Sequence, residues 1–543
     1  MHGLMMERAL TISSLIEHAA KFHKNTEIVS RTVEGPIHRY TYGEAYRRVN
    51  QLANVLKNLG VSEGDRVGTL AWNGYRHFEL YFAVSGMGSI CHTINPRLFP
   101  EQITYIINHA NDKVIFCDLT FVPVLESLAE QLVDVHAIVI MTDMEHMPET
   151  QLSNIYCYEE LMDSTTDEFE WPEIDELQAS SLCYSSGTTG SPKGVLYSHR
   201  STVLHSFAVC SADGLAISGR DTVLPVVPMF HVNAWGMPYA STMAGAKLVF
   251  PGGAMDGKSL AELLIDEKVT FTGGVPTVWL MLLQHLKETG KTLPHLQRTV
   301  VGGSALPQSM IETFENVYDV ACIHAWGMTE MSPLGTVGHM THALLEDQDT
   351  DLMRYKVKQG RVLYGVDMKI VNDDGTPLPQ DGEAFGELCV RGPWVTNGYF
   401  EDDSTSASSF DNENWFRTGD VATIDPHGYM EVVDRSKDVI KSGGEWISSI
   451  ELENIAIGHA AVAEAAVIGI EHEKWGERPL LVCVKADYIN ASGEEILSIY
   501  EGKVAQWCIP NAVEFLDELP HTATGKLQKL TLREHFKGYR FAD

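Results

Sequence analysis

A chain of 543 residues exceeds what one hydrophobic core can organise, so at least two domains are expected. Hydrophobic residues at 44% and charged ones at 21% describe a globular chain and exclude global disorder. A formal charge of -33 excludes a broad nucleic-acid or anionic-lipid face, so a phosphate-bearing ligand has to be met in a local pocket of amides or basic groups.

In chain order, Ile12, Leu15, Ile16 and Ala19 recur at helical spacing among charged residues, which predicts an amphipathic helix and not a signal peptide. Thr41 and Glu44 form a capping box, Val49, Leu52, Ala53 and Leu56 make one apolar stripe, and Gly60 stands where a C-terminal cap belongs. Short β-branched runs at GDRVGTLAW, KVIFCD, HAIVIMTD, AKLVF and RTVVGG predict strands. Helical segments between them make this an α/β pattern, with mostly parallel sheets covered by helices. The acidic stretch 163–176 lacks periodicity and reads as a solvated connection. The most apolar run, VLPVVPMFHVNAWGMPYA from Val223, contains three prolines, a histidine and an asparagine, so no membrane span is expected.

After Asp367 the sequence turns to short strands and glycine-rich turns, a small β-rich lobe over about 365–434. Past DRSKD at 434–438 a new α+β pattern begins. The expected division is therefore an N-terminal domain of 1–434 that includes the lobe, and a C-terminal domain of 435–543. Nine cysteines are scattered without a CxxC pair or an even framework, which reads as a reducing cytoplasm. Cys117 and Cys183 sit in apolar runs where a thiol packs as a small hydrophobe. The histidines of HMTH at 339–342 lack the further ligands zinc requires and read as a polar loop.

The stretch YSSGTTGSPKGVLYS from Tyr184 looks like a phosphate cradle but is not a Walker A loop. Pro192 precedes Lys193, Gly194 follows it, and the chain continues into a β-favouring segment instead of a helix. Its glycines let backbone amides turn toward one anion, Ser185, Ser186, Thr188 and Thr189 add hydroxyl donors, and Lys193 adds charge.

This loop resembles the signature of the adenylate-forming superfamily, which comprises acyl-CoA synthetases, luciferases and peptide-synthetase adenylation domains. The resemblance continues in order through HAWGMTEMSP from His324, WFRTGD from Trp415, DRSKDVIKSGGEWISSIELEN from Asp434 and TATGKLQKL from Thr522. It implies a two-step reaction: a carboxylate attacks the α-phosphorus of ATP and expels pyrophosphate, then the thiol of coenzyme A displaces AMP. The loop residues Ser185, Ser186, Gly187, Thr188, Thr189, Gly190 and Lys193 would embrace the phosphates, and Thr189 and Glu330 would hold Mg2+. Gly302 and Gly303 would admit the adenine, with Gly327, Met328 and Thr329 alongside and Trp326 packing beside the base or the acyl chain, and Asp420 with Arg435 would hold the ribose.

By the same resemblance, Lys526 bridges the incoming carboxylate and the α-phosphate, and the C-terminal domain rotates between the half-reactions. Lys437 aligns with the pivot, and Gly443, Gly444, Glu445 and Trp446 with the loop that meets the pantetheine arm. Many relatives carry aspartate at the pivot; lysine matches the long-chain synthetase version. The segment MFHVNAWGMPYA from Met229 resembles the acyl pocket of medium- and long-chain fatty acyl-CoA synthetases, with His231 orienting the carboxylate and Trp235 gating the acyl tunnel. That subgroup also includes ligases for methylmercaptopropionate, and both substrates stay open. A homodimer is what the family suggests. A peptide-synthetase adenylation domain would need an acid in the pocket segment, and HVNAW has none. Luciferase chemistry is not excluded by the motifs, whereas a non-catalytic nucleotide binder would tolerate loss of Glu330 or Lys526, and both are present.

Overall fold

The computed structural model describes residues 1, 3–185, 192–443, 445–486, 491–521 and 527–541. The chain forms two compact units, one of Met1–Ser185, Ser191–Asp367 and Gly392–Ser408, the other chiefly of Met368–Arg391 and Ser409–Asp543.

The first unit is built on two sheets. In one, the strands Ile155–Cys157, Ala137–Ile140, Asp112–Cys117, Arg66–Leu70, Ile90–Thr93 and Ala179–Tyr184 lie side by side and parallel, and Gly194–Ser198 adds an antiparallel edge. The other runs parallel from Ala321–Gly327 through Arg298–Val301, Phe271–Gly274, Thr222–Pro225 and Lys247–Phe250 to Glu27–Arg31. Antiparallel strands flank that parallel run on both sides. The β-branched runs seen in the sequence are these strands, and parallel pairing arises because helical connections return the chain to the same end.

The helices form where the sequence pattern predicts. Ile12–Phe22 buries Ile12, Leu15, Ile16 and Ala19. Tyr42–Asn58 carries the Thr41–Glu44 capping box and is followed by Gly60 at φ 83. Helix Tyr75–Gly86 is buried along its whole length. One core joins side chains of both sheets, among them Val67, Phe116, Leu248 and Phe271, to these three helices. A second core, around Trp279, Leu282 and Phe314, covers the other face of the longer sheet. Cys117 and Cys183 are buried free thiols, and no helix among the described residues is long and apolar enough to cross a membrane.

In the second unit, the strands Asp367–Val371, Phe385–Arg391, Phe416–Ile424 and Tyr429–Arg435 lie in that order. A separate sheet pairs Val462–His472 with Gly476–Lys485 along their whole length and adds Ala512–Phe515 in parallel. Asp434 at the end of Tyr429–Arg435 accepts the Ser449 N–H at 2.6 Å. Lys529 meets Glu453 at 2.6 Å, so the last helix, Lys529–His535, is tied to Ser449–Ile457 by a buried ion pair.

The first unit also contains a buried charge that needs its partner. Glu79 is fully buried; its carboxylate takes Arg48 Nε at 2.7 Å and the Tyr158 hydroxyl at 2.6 Å. Burial pushes the Glu79 carboxyl up, against the pull of the Arg48 guanidinium. Arg48→Met is expected to destabilise the chain by about 3–5 kcal/mol, read from the urea midpoint. Arg47→Met removes an exposed pair with Asp167 and is expected to change stability by less than about 1 kcal/mol. Equal losses in the two variants would refute the buried pair.

Candidate active site

The phosphate-type loop leaves Ala179–Tyr184 and returns as Gly194–Ser198, with Tyr184 opposite Gly194. Its base is closed by the Ser185 N–H donating to the Lys193 carbonyl at 2.9 Å. Ser186, Gly187, Thr188, Thr189 and Gly190 lie outside the described residues. The Lys193 ammonium sits 4.9 Å from the ring centre of Tyr399, and the Phe400 N–H donates to the Gly194 carbonyl at 2.8 Å, which holds Tyr399 beside the loop's exit. The Tyr399 hydroxyl in turn donates to the Glu330 carboxylate at 2.8 Å.

Glu330 is buried in the short 3-10 turn Thr329–Met331, which follows the strand Ala321–Gly327. Two further bonds fix that turn: the Tyr197 hydroxyl donates to the Thr329 carbonyl at 2.6 Å, and the Thr396 N–H to the Glu330 carbonyl at 2.7 Å. One tyrosine therefore joins the loop lysine to a buried acid, its ring facing the cation and its hydroxyl meeting the anion. A carboxylate oxygen is the donor type a hard divalent cation takes, so Glu330 fits a magnesium ligand.

Trp326 and Gly327 end the strand that leads to this turn. The Trp326 ring is nearly buried over Gly335, where an added Cβ would come within 2.7 Å of it. The Met328 N–H donates to the Pro333 carbonyl at 3.1 Å. Gly303, at φ 83, and Gly302 follow the neighbouring strand Arg298–Val301. A Cβ on Gly302 would meet the Ala325 carbonyl at 2.9 Å and the Trp235 ring at 3.2 Å. Trp235, from the segment read as an acyl pocket, thus closes on the loop read as an adenine site.

That segment has an unusual backbone. Val232, Asn233, Ala234 and Trp235 have φ of 47, 52, 51 and 56, and Gly236 follows at 71. Single residues visit this left-handed region; a complete turn of it disfavours each non-glycine residue by roughly 1–2 kcal/mol, and β-branched Val232 is the least suited. Polar side chains fix the backbone that leads into this turn. Asn73, fully buried, accepts the Met229 N–H at 2.6 Å and donates to the Pro225 and Val227 carbonyls at 2.8 and 2.9 Å. The Tyr81 hydroxyl donates to the Met229 carbonyl. Gly236 lies against His205, where a Cβ would fall 2.7 Å from the ring. His231 precedes the turn, half-buried, its N–H on the Pro228 carbonyl at 3.0 Å. Behind the turn is a cavity of about 10 Å³, lined by Tyr197, His205, Asn233, Gly236, Tyr239 and Ser332, which is room for one water.

The remaining candidates belong to the second unit. Asp420 and Arg435 face each other across paired strands, with Arg435 Nε 2.9 Å from the buried Asp420 carboxylate. Desolvation by its surroundings lowers the affinity of the exposed Lys437 amine for its proton. Gly443, at φ 63, lies against Trp475 and donates its N–H to the Trp475 carbonyl at 2.7 Å. Trp446, in the strand Glu445–Ile447, has its ring 5.3 Å from Phe385 and the Lys441 ammonium 4.9 Å above it. Gly444 and Lys526 lie outside the described residues.

Three residues that the sequence reading did not single out take part in this architecture: Asn73, Asn233 and Tyr399. None lies within hydrogen-bonding reach of its partner along the chain, and an isolated asparagine or tyrosine carries no spacing signal. The Asn-Gly before Tyr399 suggests a turn and nothing more.

The profile of the AMP-binding enzyme family matches residues 15–400. The chain belongs to the AMP-binding enzyme family. A profile of the AMP-binding enzyme C-terminal domain matches residues 451–526. Among curated members, the chain is 52% identical to a 3-methylmercaptopropionyl-CoA ligase of Ruegeria lacuscaerulensis, over 99% of both chains. It is 50% identical to a medium-chain-fatty-acid–CoA ligase of Ectopseudomonas oleovorans, over 99% of this chain and 98% of that one. Among solved structures of AMP-binding enzymes, an anthranilate CoA ligase in complex with anthranoyl-AMP superposes with a TM-score of 0.85, at 25% identity over 98% of each chain.

Tyr399→Phe keeps the ring under Lys193 and removes the hydroxyl from Glu330. It is expected to slow acid-dependent pyrophosphate exchange by roughly tenfold, the weight of one hydrogen bond to a charged group, and to raise the magnesium concentration needed for half-maximal exchange. An unchanged magnesium dependence would remove Tyr399 from the site.

Proposed function

We propose that this AMP-binding enzyme is an AMP-forming carboxylate–CoA ligase acting on an aliphatic acid. The reading is carried by one observation, the junction of Lys193 and Glu330 through Tyr399. It places a cation and a buried carboxylate at the exit of a loop rich in amides and hydroxyls, the combination that binding a nucleotide triphosphate demands. Curated relatives over the whole length of the chain are CoA ligases, which supports the same reading.

In the first half-reaction a carboxylate oxygen forms a bond to the α-phosphorus, and the bond from that phosphorus to pyrophosphate breaks. Lys193 neutralises charge on the phosphate oxygens. Magnesium, held by Glu330 and Thr189, would add to that neutralisation when bound. Asp420 and Arg435 hold the ribose, and Gly302 with Gly303 leaves room for the adenine plane. His231 orients the carboxylate while Trp235, lying on Gly302, walls the acyl group. In the second half-reaction the sulfur of coenzyme A bonds to the acyl carbon and AMP departs. Residues 435–543 rotate between the two steps about Lys437, which withdraws Lys526 from the phosphate and brings Gly443, Gly444, Glu445 and Trp446 to the pantetheine arm. The scattered buried thiols suit a cytoplasmic enzyme.

The acid is a medium- or long-chain fatty acid on the sequence pattern. A second reading, a short acid such as methylmercaptopropionate, is favoured by the 52% identity to a 3-methylmercaptopropionyl-CoA ligase over 99% of both chains. AMP release with ATP and coenzyme A across acids from propionate to palmitate, with methylmercaptopropionate included, separates the two. An optimum at eight carbons or more supports the fatty acid, an optimum at methylmercaptopropionate the short acid, and no turnover with any of them refutes the ligase.

Lys526→Ala is expected to abolish formation of the acyl-adenylate, measured by pyrophosphate exchange, and to leave thioester formation from supplied acyl-adenylate within about threefold of the parent. Equal loss of both half-reactions would refute the assigned role.

A further inference from the structure

We propose that Asn233 is a positioning residue for the acyl group: it latches the left-handed turn 232–236 to the strand Ala179–Tyr184, and this latch sets which acids the enzyme selects. The proposal rests on reading 229–240 as the acid-binding segment.

The Asn233 side chain is buried and both ends of its amide are engaged. Nδ2 donates to the Ser181 hydroxyl at 3.1 Å, and Oδ1 accepts the Cys183 thiol at 3.6 Å. Ser181 and Cys183 are two apart on one strand and so share its face. That strand runs directly into the loop read as holding the phosphates of ATP. The latch therefore registers the segment bearing His231 and Trp235 against the element that delivers the phosphates. A carboxylate and an α-phosphorus react only when held within a few tenths of an ångström of the productive geometry, so this registration acts on chemistry.

The backbone gives the latch a reason to exist. Asparagine tolerates the left-handed region better than most residues, whereas Val232, Ala234 and Trp235 around it do not. The Asn233 carbonyl takes the Gly236 N–H at 3.0 Å, a bond local to the turn; without the amide the turn loses its side-chain tie to the strand Ala179–Tyr184, and its relaxation swings the Trp235 ring off Gly302. The wall that limits the acyl group would then be lost, while the junction of Lys193, Tyr399 and Glu330, whose apolar neighbour from the turn is Val232, keeps its own bonds.

The test is acid-dependent pyrophosphate exchange across propionate to palmitate plus methylmercaptopropionate, with Asn233→Ala, Asn233→Gly, Ser181→Ala and Trp235→Ala. Asn233→Ala is expected to raise KM for the preferred acid by about tenfold or more with KM for ATP within about twofold, and to flatten the acid profile. Asn233→Gly accepts the left-handed backbone but lacks the latch, so it is expected to flatten the profile with a melting temperature near the parent's. Ser181→Ala is expected to shift the profile in the same direction by less. The proposal is overturned if KM for acid and for ATP rise by the same factor, or if the profile keeps its optimum and steepness in the Asn233 variants. A profile altered by Trp235→Ala but not by either Asn233 variant rejects the latch and leaves the acid-binding segment standing; a profile altered by none of the four rejects that segment too.

Discussion

Parallel hydrogen bonding among Thr222–Pro225, Phe271–Gly274, Arg298–Val301 and Ala321–Gly327 is the constraint on which the candidate site depends. Parallel strands in register end on the same side, so the loop or turn that leaves each strand is delivered to one edge of the sheet. The Gly302–Gly303 loop and the Thr329–Met331 turn begin within two residues of such ends, and the turn with Trp235 begins seven residues after one. Residues far apart in the chain, such as Trp235 and Gly302, meet because their strands are near neighbours.

An edge made of irregular backbone leaves many peptide groups without a ladder, and here side-chain amides and hydroxyls supply the missing partners. Asn73 alone satisfies one N–H and two carbonyls of the segment between Pro225 and Met229. Tyr197 and Tyr81 cap single carbonyls in the same way. A buried amide in such a place costs little because each of its polar atoms is used. The strained turn at 232–236 is held differently, by the Asn233 amide, which meets Ser181 and Cys183 on the neighbouring strand.

The second unit uses polar burial differently. Asp434, Ser449, Glu453 and Lys529 form a connected buried set, bringing the end of one strand, the start of one helix and the start of the last helix together. Arg533, one turn beyond Lys529, adds a 2.8 Å pair to Asp438. The strand before Lys437 and the helix after it are thus tied to each other within one compact unit.

The α/β class, the strands at KVIFCD and AKLVF, the capped helix after Thr41 and the strand after Lys193 were all legible in the sequence. Each rests on side-chain periodicity, a cap or a turn, and these act over a few residues. The order of motifs likewise named the chemistry. What only the tertiary structure decided are the junctions. Tyr399 meets Glu330 across 69 residues, Met229 meets Asn73 across 156, and Asn233 meets Ser181 across 52. Nor does HVNAW announce a left-handed turn, because local preference opposes one at Val232, Ala234 and Trp235. Local pattern records what a residue prefers by itself; a strained backbone or a long-range hydrogen bond exists because packed neighbours overrule that preference.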